Sequence, residues 1–182
     1  MQATEKQANA IFNKNLGSFF IRLLLVVSAW FVLYNLLLKP GRVIDRPLTN
    51  AITAASVKFI NLLPGNESLT WVEDQQNENR NFLVKEGKNV MGIMDACNGI
   101  DLMFIYVGVI ILLPVSAKRK LYFSAGGIVA IILADILRVA SLYYIYVYYR
   151  SAFHFSHHYF FTILMYAMIF YGWLLFIKKK AV

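Results

Sequence analysis

LGSFFIRLLLVVSAWFVLYNLLL, residues Leu16 to Leu38, is a run of 23 residues with a single charge, Arg22. At about 1.5 Å of rise per residue, a helix of that length crosses the roughly 30 Å hydrocarbon layer of a bilayer. Arg22 lies near one end, where a long basic side chain extends its charged head to the interface. Lys6 and Lys14 precede the run, and basic flanks mark the cytoplasmic end of a span. No small-residue cleavage site follows, so the run reads as a retained anchor.

The composition agrees. Of 182 residues, 59% are hydrophobic and 15% charged, a balance that belongs to the membrane class. The formal net charge of +8 invites a nucleic-acid reading, but the basic residues cluster as Lys118, Arg119, Lys120 and as Lys178, Lys179, Lys180, each cluster closing an apolar run. Such clusters are cytoplasmic anchors, and nucleic acid is not an expected partner. Cys97 is the one cysteine, which excludes an internal disulfide and leaves a thiolate metal site without a second sulfur.

Three further apolar runs follow, at about 99–116, 121–143 and 158–177. The expected fold is therefore an all-α integral membrane protein, a compact bundle of about four transmembrane helices with one extracytoplasmic loop region of about 50 residues. Residues 1–15 form a cytoplasmic segment, 16–38 the first span, 39–96 the extracytoplasmic region and 97–182 the region of the other three spans, with both termini cytoplasmic.

Within 39–96, Pro40, Gly41, Pro47, Pro64 and Gly65 interrupt the chain. Ala51 to Leu63 has helical periodicity but is too short to span, so it lies on the membrane surface or packs on the bundle. Trp71 to Ile93 reads as short strands or loop, with a hairpin around Asn77 to Asn81. Pro114 marks a helix end or kink. Ser141 to Arg150 carries five tyrosines, a composition suited to the headgroup level.

This topology brings polar groups to one depth. Cys97 lies just outside the second span and His157 just outside the fourth. Arg138 is 17 residues beyond Leu121, roughly 25 Å from the cytoplasmic end. A cysteine acts as nucleophile when ionised, and a nearby cation or helix start favours the anion. Asn98 and Gly99 sit at such a start. Gly99 would let a substrate chain approach, Asp95 would serve as an amino-terminal cap, and the setting predicts a thiol pKa well below about 8.5. The plainer alternative is an inert, small apolar cysteine.

Arg138 in an apolar span is costly without a partner or a cavity. It suits an oxyanion or a substrate carboxylate, while Asp135 at i−3 offers a pair that merely holds the bundle. His154, His157 and His158 suit proton transfer or are solvated loop residues. His154 and His158 are an i, i+4 pair with no carboxylate after them, so no metal is expected. No phosphate loop, zinc-protease or kinase motif occurs, and no cofactor is expected.

Taken together, ACNGI (Ala96 to Ile100), LADILRVA (Leu133 to Ala140) and FSHHYFFTILMYAMIFYGW (Phe155 to Trp173) resemble the exosortase and archaeosortase family, in particular the short exosortases of Bacteroidetes-type bacteria. The resemblance implies a multi-spanning cysteine transpeptidase of the bacterial cytoplasmic (inner) membrane with an extracytoplasmic active site. Its substrates would be exported proteins with a carboxy-terminal sorting signal made of a short motif, a hydrophobic helix and a basic tail. It implies Cys97 as nucleophile in an Ala-Cys-x-Gly motif, Arg138 as the invariant arginine and His157 as the histidine before the last span. A thioester would pass to a lipid or glycan amine, or to water. The substrate helix would dock near Gly126 and Gly127 or near Gly108.

Two positions depart from the family pattern. Asp135 stands where an asparagine is common, and His158 adjoins His157 as an alternative, with His157 preferred. The competing reading is a non-enzymatic membrane assembly factor or scaffold fixed by Asp135 and Arg138. A small transporter fits less well, because the chain shows no internal repeat.

Overall fold

The structure, a computed structural model, describes residues 2–63, 68–74 and 79–178, with 2–16 described by backbone alone. The side chains of Lys6 and Lys14, residues Pro64, Gly65, Lys179 and Lys180, and residues 77–78 of the hairpin expected around Asn77 to Asn81 lie outside the described residues.

Three helical segments are long and apolar enough to cross a membrane, Gly17–Leu38, Ala117–Tyr148 and Arg150–Lys178, and the chain is a multi-pass membrane protein. Helix α1 (Gln2–Leu33) passes into a π-helical turn, Tyr34–Leu38. The turn directs Tyr34 inward, while most of the span around it stays exposed. Trp30 stacks on Phe104 at 4.0 Å and donates to Asp101 Oδ1 at 3.3 Å, which docks α1 on α3 (Ile100–Leu112).

The second expected span is this α3, which is shorter than the apolar run that predicted it. Its 13 residues rise about 20 Å, and the chain turns extended at Leu113, next to Pro114, which therefore marks an end. Basic side chains of α4 (Ala117–Tyr148) bracket both ends of α3. Lys120 Nζ donates to Ile111 O at 2.6 Å, and Arg138 Nη2 donates to Cys97 O. A cation on the last carbonyls of a helix is favoured by its dipole. Arg119 likewise caps Phe176 O of α6 (Phe161–Lys178). The ends of α3 and α6 and the start of α4 thus share one basic level.

The expectation of an all-α protein is corrected by a small sheet between the first two expected spans, where Trp71 to Ile93 reads as short strands or loop. Residues 39–96 fold into helix α2 (Asp45–Asn61) and an antiparallel sheet of β1 (Thr70–Glu73), β2 (Arg80–Lys85) and β3 (Lys88–Met94) in that order. Glu86 and Gly87 have φ of 52° and 74°, as a two-residue turn between right-twisted strands requires. Alternation in β2 and β3 buries Leu83, Met91 and Ile93. They pack with Ile52, Val57 and Ile60 of α2 and with Val139, Leu142 and Tyr143 of α4. Of the two placements open to residues 51–63, the helix takes the one against the bundle.

Helix α4 makes this possible by its length. Its 32 residues extend about 48 Å, beyond the roughly 30 Å of hydrocarbon, and the surplus stands against α2 and the sheet, which together form the cap of the bundle. Tyr143, expected in an interfacial belt, is 1% exposed in that core, whereas Tyr148 and Tyr149 are exposed. The last apolar segment begins at Arg150, earlier than His158, and includes a single turn α5 (Phe153–Phe155) and a π turn, Ser156–Phe160.

A second core joins Met103, Tyr106 and Ile110 of α3 to Ile131 of α4 and to Met165, Ile169 and Phe176 of α6. Tyr106 is its wedge. A Cβ on Gly127 would enter the Tyr106 ring, and one on Gly172 would meet it at 2.9 Å. Gly127 is therefore filled by the chain's own packing, and Gly108 faces Val26 of α1 at 3.7 Å. Gly126 and Gly127 both border a groove of about 300 Å³ between α4 and α6, and of the two only Gly126 has open space where a Cβ would stand. Gly127→Val overpacks this contact and lowers stability by about 2 kcal/mol. Thermal unfolding in detergent shows the loss, and adding Tyr106→Leu recovers part of it.

Candidate active site

Cys97 ends a single 3-10 turn, Asp95–Cys97, that carries the chain from β3 into α3. Polar side chains from α2 and the segment before it hold the turn. Arg42 grips Asp95 with two prongs, Nε to Oδ2 at 2.6 Å and Nη2 to Oδ1 at 2.9 Å, and Thr49 Oγ1 donates to Oδ1 at 2.8 Å. Asp95 is thus a buried ion-pair partner and not the helix cap expected of it. Arg42 adopts φ of 47°, a left-handed conformation that a non-glycine residue takes at a cost of about 1 kcal/mol or more. Its Nη1 also reaches Glu73 Oε1 at 3.2 Å, where Arg46 Nε adds a second contact at 2.9 Å.

Asn98 takes the capping role instead. Its Oδ1 accepts the Ile100 amide at 3.0 Å, while its Nδ2 donates to Asp45 Oδ1 at 2.9 Å and to Thr49 Oγ1 at 3.3 Å. Asp45 accepts from Tyr34 Oη at 2.9 Å, so the π turn of α1 is tied to the same network. Gly99 has φ of 75°, and a Cβ there would run into the Asp135 carboxylate. Its missing side chain makes room for Asp135 and not, as expected, for a substrate.

Arg138 reaches the turn from α4, donating to the Cys97 carbonyl. Its Nη2 also lies 3.1 Å from Asp135 Oδ1. That distance makes an ion pair but not an aligned hydrogen bond, and both Asp135 oxygens and Arg138 Nε are buried without a hydrogen-bond partner among the described residues. Asp135 is 0% exposed.

His157 arrives from the far side on the π turn Ser156–Phe160, where the extra residue rotates the face presented to the bundle. Its Nε2 lies 3.8 Å from Cys97 Sγ, and its ring stacks on Phe153. His158 is exposed and faces His154, with ring centroids 4.5 Å apart. Among the described residues no three His, Cys, Asp or Glu side chains converge on a point that would hold a metal.

Burial raises the Cys97 thiol above its ordinary pKa, Asp135 adds to the rise, and the Arg138 charge and the Met94 amide oppose it. The expectation of a strongly lowered pKa is corrected, because removing water from the anion outweighs the cation beside it. The resting group is a neutral thiol with a histidine nitrogen within reach of its proton. Sequence reasoning missed Tyr34, Arg42, Asp45 and Thr49. The available signal was GRVIDRPLTN (Gly41 to Asn50), where charges accumulate directly after a span.

Residues 15–177 match the family model described as transmembrane exosortase. No curated protein and no solved structure matches the chain.

The raised thiol predicts that labelling of Cys97 in membranes by a small neutral maleimide climbs with pH past about 8.5. Arg138→Gln displaces the curve further upward, since it removes a charge that favours the thiolate. A plateau already reached at pH 7 would sink this account. Asp95→Asn removes the charge that answers Arg42 Nε and Nη2, leaves the buried guanidinium its contact with Glu73, and costs about 3 kcal/mol in denaturant unfolding, whereas the paired change Arg42→Met with Asp95→Leu retains more stability.

Proposed function

We propose a reaction for this chain, which belongs to the transmembrane exosortase family: it acts as a membrane-embedded cysteine transpeptidase on exported proteins that end in a motif, a hydrophobic helix and a basic tail. The observation that carries the proposal is the approach of His157 Nε2 to Cys97 Sγ at 3.8 Å. The two residues come from different elements, at the end of the bundle opposite the basic level of Lys120. Family membership supports sorting-signal processing, and the site supplies a nucleophile, a proton carrier and a fixed cation.

In this mechanism His157 Nε2 takes the Cys97 proton as the sulfur attacks the substrate carbonyl. Leaving a raised-pKa thiol neutral until then avoids holding a desolvated anion. Arg138, held by Asp135 and seated on the Cys97 carbonyl, fixes the nucleophile's backbone and sets positive charge beside the developing oxyanion. The His157 proton then goes to the leaving nitrogen, the carbon–nitrogen bond breaks, and the substrate's helix departs with a new amino terminus. The acyl group remains on Cys97 as a thioester. A lipid or glycan amine, or water, attacks it while His157 acts as base, and the thiol is regenerated.

By the positive-inside rule the level of Lys118, Arg119, Lys120 and Lys178 is cytoplasmic, and the family reading assigns the protein to the inner membrane of a bacterium. Both termini then lie on that side, and the cap and Cys97 on the other. The scaffold reading keeps one observation in its favour, the buried Asp135–Arg138 pair, which would fix the bundle in either case.

Cys97→Ala abolishes the release of carboxy-terminal helices from exported proteins while leaving the protein in the membrane. His157→Gln lowers the rate by about 10² to 10⁴. Arg138→Lys lowers it as well, because a point charge does not reproduce a planar fork. Mass spectrometry of exported proteins in cells carrying each variant measures all three effects, and full processing by Cys97→Ala would leave the scaffold reading standing.

A further inference from the structure

Strand β3 is an outer strand of the sheet and leads without a break into the turn that ends at Cys97. The Asp95 amide donates inward, to Asn79 O at 2.9 Å. Alternate residues of a strand direct their backbone groups to opposite edges. Ile93 therefore faces its partner Asn81 on β2, while Gly92 and Met94 turn their N–H and C=O groups to the outer edge. No backbone hydrogen bond between described residues occupies these outer groups beyond the ladder itself. Gly92 is exposed, and Met94 is 52% exposed.

The edge is also where the sulfur lies. The Asp95–Cys97 turn follows Met94 directly, so the nucleophile is at the lower end of the open row, and the Met94 amide, which favours its anion, is left to the sulfur. Natural proteins blunt an open edge with charge, proline or a bulge. Here the charged residue, Lys88, stands at the far end of β3, and the irregularity in the ladder is opposite Leu83 and Val84. The stretch Gly92 to Met94, nearest the sulfur, carries neither.

Chain direction selects the occupant. β3 runs toward the bundle and continues as α3 to the basic level. An exported protein anchored by a carboxy-terminal helix runs the same way, extended segment first and helix second. We propose that the segment directly ahead of the substrate's helix binds as an added strand, parallel to β3, on the outer N–H and C=O of Gly92 and the outer C=O of Met94, and so delivers its scissile carbonyl to Cys97. Backbone pairing of this kind supplies affinity without demanding a particular sequence, and selectivity comes from alternate side chains and from the helix that must follow.

The inference rests on the transpeptidase reading, and the test separates the two. Gly92→Pro deletes one outward N–H at an edge position, where proline is tolerated, whereas Gly92→Ala keeps it. The probe is the host's own set of exported proteins, with carboxy-terminal processing read by mass spectrometry in cells carrying the full chain. Gly92→Pro is expected to process about fivefold to tenfold more slowly than Gly92→Ala, with Cys97 still labelled by a neutral maleimide. Equal processing by the two variants, with the parent active, overturns the edge proposal and leaves the transpeptidase. A parent that shows no Cys97-dependent processing overturns both.

Should Gly92→Pro lose labelling through misfolding, a photo-reactive benzoyl-phenylalanine at Met94 in the Cys97→Ala chain decides the matter. Cross-links that map to residues immediately ahead of a carboxy-terminal apolar helix support the proposal. Cross-links confined to lipid or to a second copy of this chain overturn it.

Discussion

A carboxylate withdrawn from water has to be answered by charge and hydrogen bonds, and at Asp95 the answer comes from Arg42 and Thr49. This one junction ties the end of the sheet, the start of α3 and the segment that leaves α1. Breaking a buried pair at one partner costs far more than replacing both, so the pair dictates where the 3-10 turn sits. The strained backbone of Arg42 is the local cost of aiming a two-pronged guanidinium at both oxygens. Cys97 is two residues from Asp95 and inherits its position from it.

A second ionic contact, Asp135 with Arg138, approaches the same turn from α4. The first pair secures the turn from the cap and the second from within the bundle. Between them the Cys97 carbonyl is held and its sulfur is left to face His157. The neutral resting thiol follows from this placement: a site dry enough to strengthen Arg138 is dry enough to disfavour an anion that has no substrate to attack.

Three spans could be read from hydrophobic run length, because the bilayer imposes a common length scale on crossing helices. The shared depth of Cys97, Arg138 and His157 could be counted from those runs, and the structure brings the three side chains to one turn. α3 was overestimated because Leu113 and Val115 are apolar without being helical. The cap was the least legible part. Trp71 to Ile93 reads as short strands or loop, but that reading does not include the β2–β3 turn at Glu86 and Gly87, and the sheet depends on pairing across residues that local patterns do not connect. The purpose of Gly99 depends on Asp135, which approaches it only through the packing of α4 against the turn. The burial of Tyr143 depends on how far α4 projects, which composition at that position does not reveal. The thiol's direction of shift is likewise a property of packing, since neighbouring charges are visible in the chain and excluded water is not.

Helix α4 continues from the basic level into the cap without interruption, and that continuity has a mechanical meaning. The element that carries Arg138 is also the element on which α2 and the sheet rest, so no joint separates the part that would hold a substrate from the part that would cut it. A rod of about 48 Å tilts as a whole or not at all, and motion at one end is transmitted to the other. Such a frame behaves as an anvil. The deformation that brings a peptide bond into line has to be supplied by the chain laid upon it.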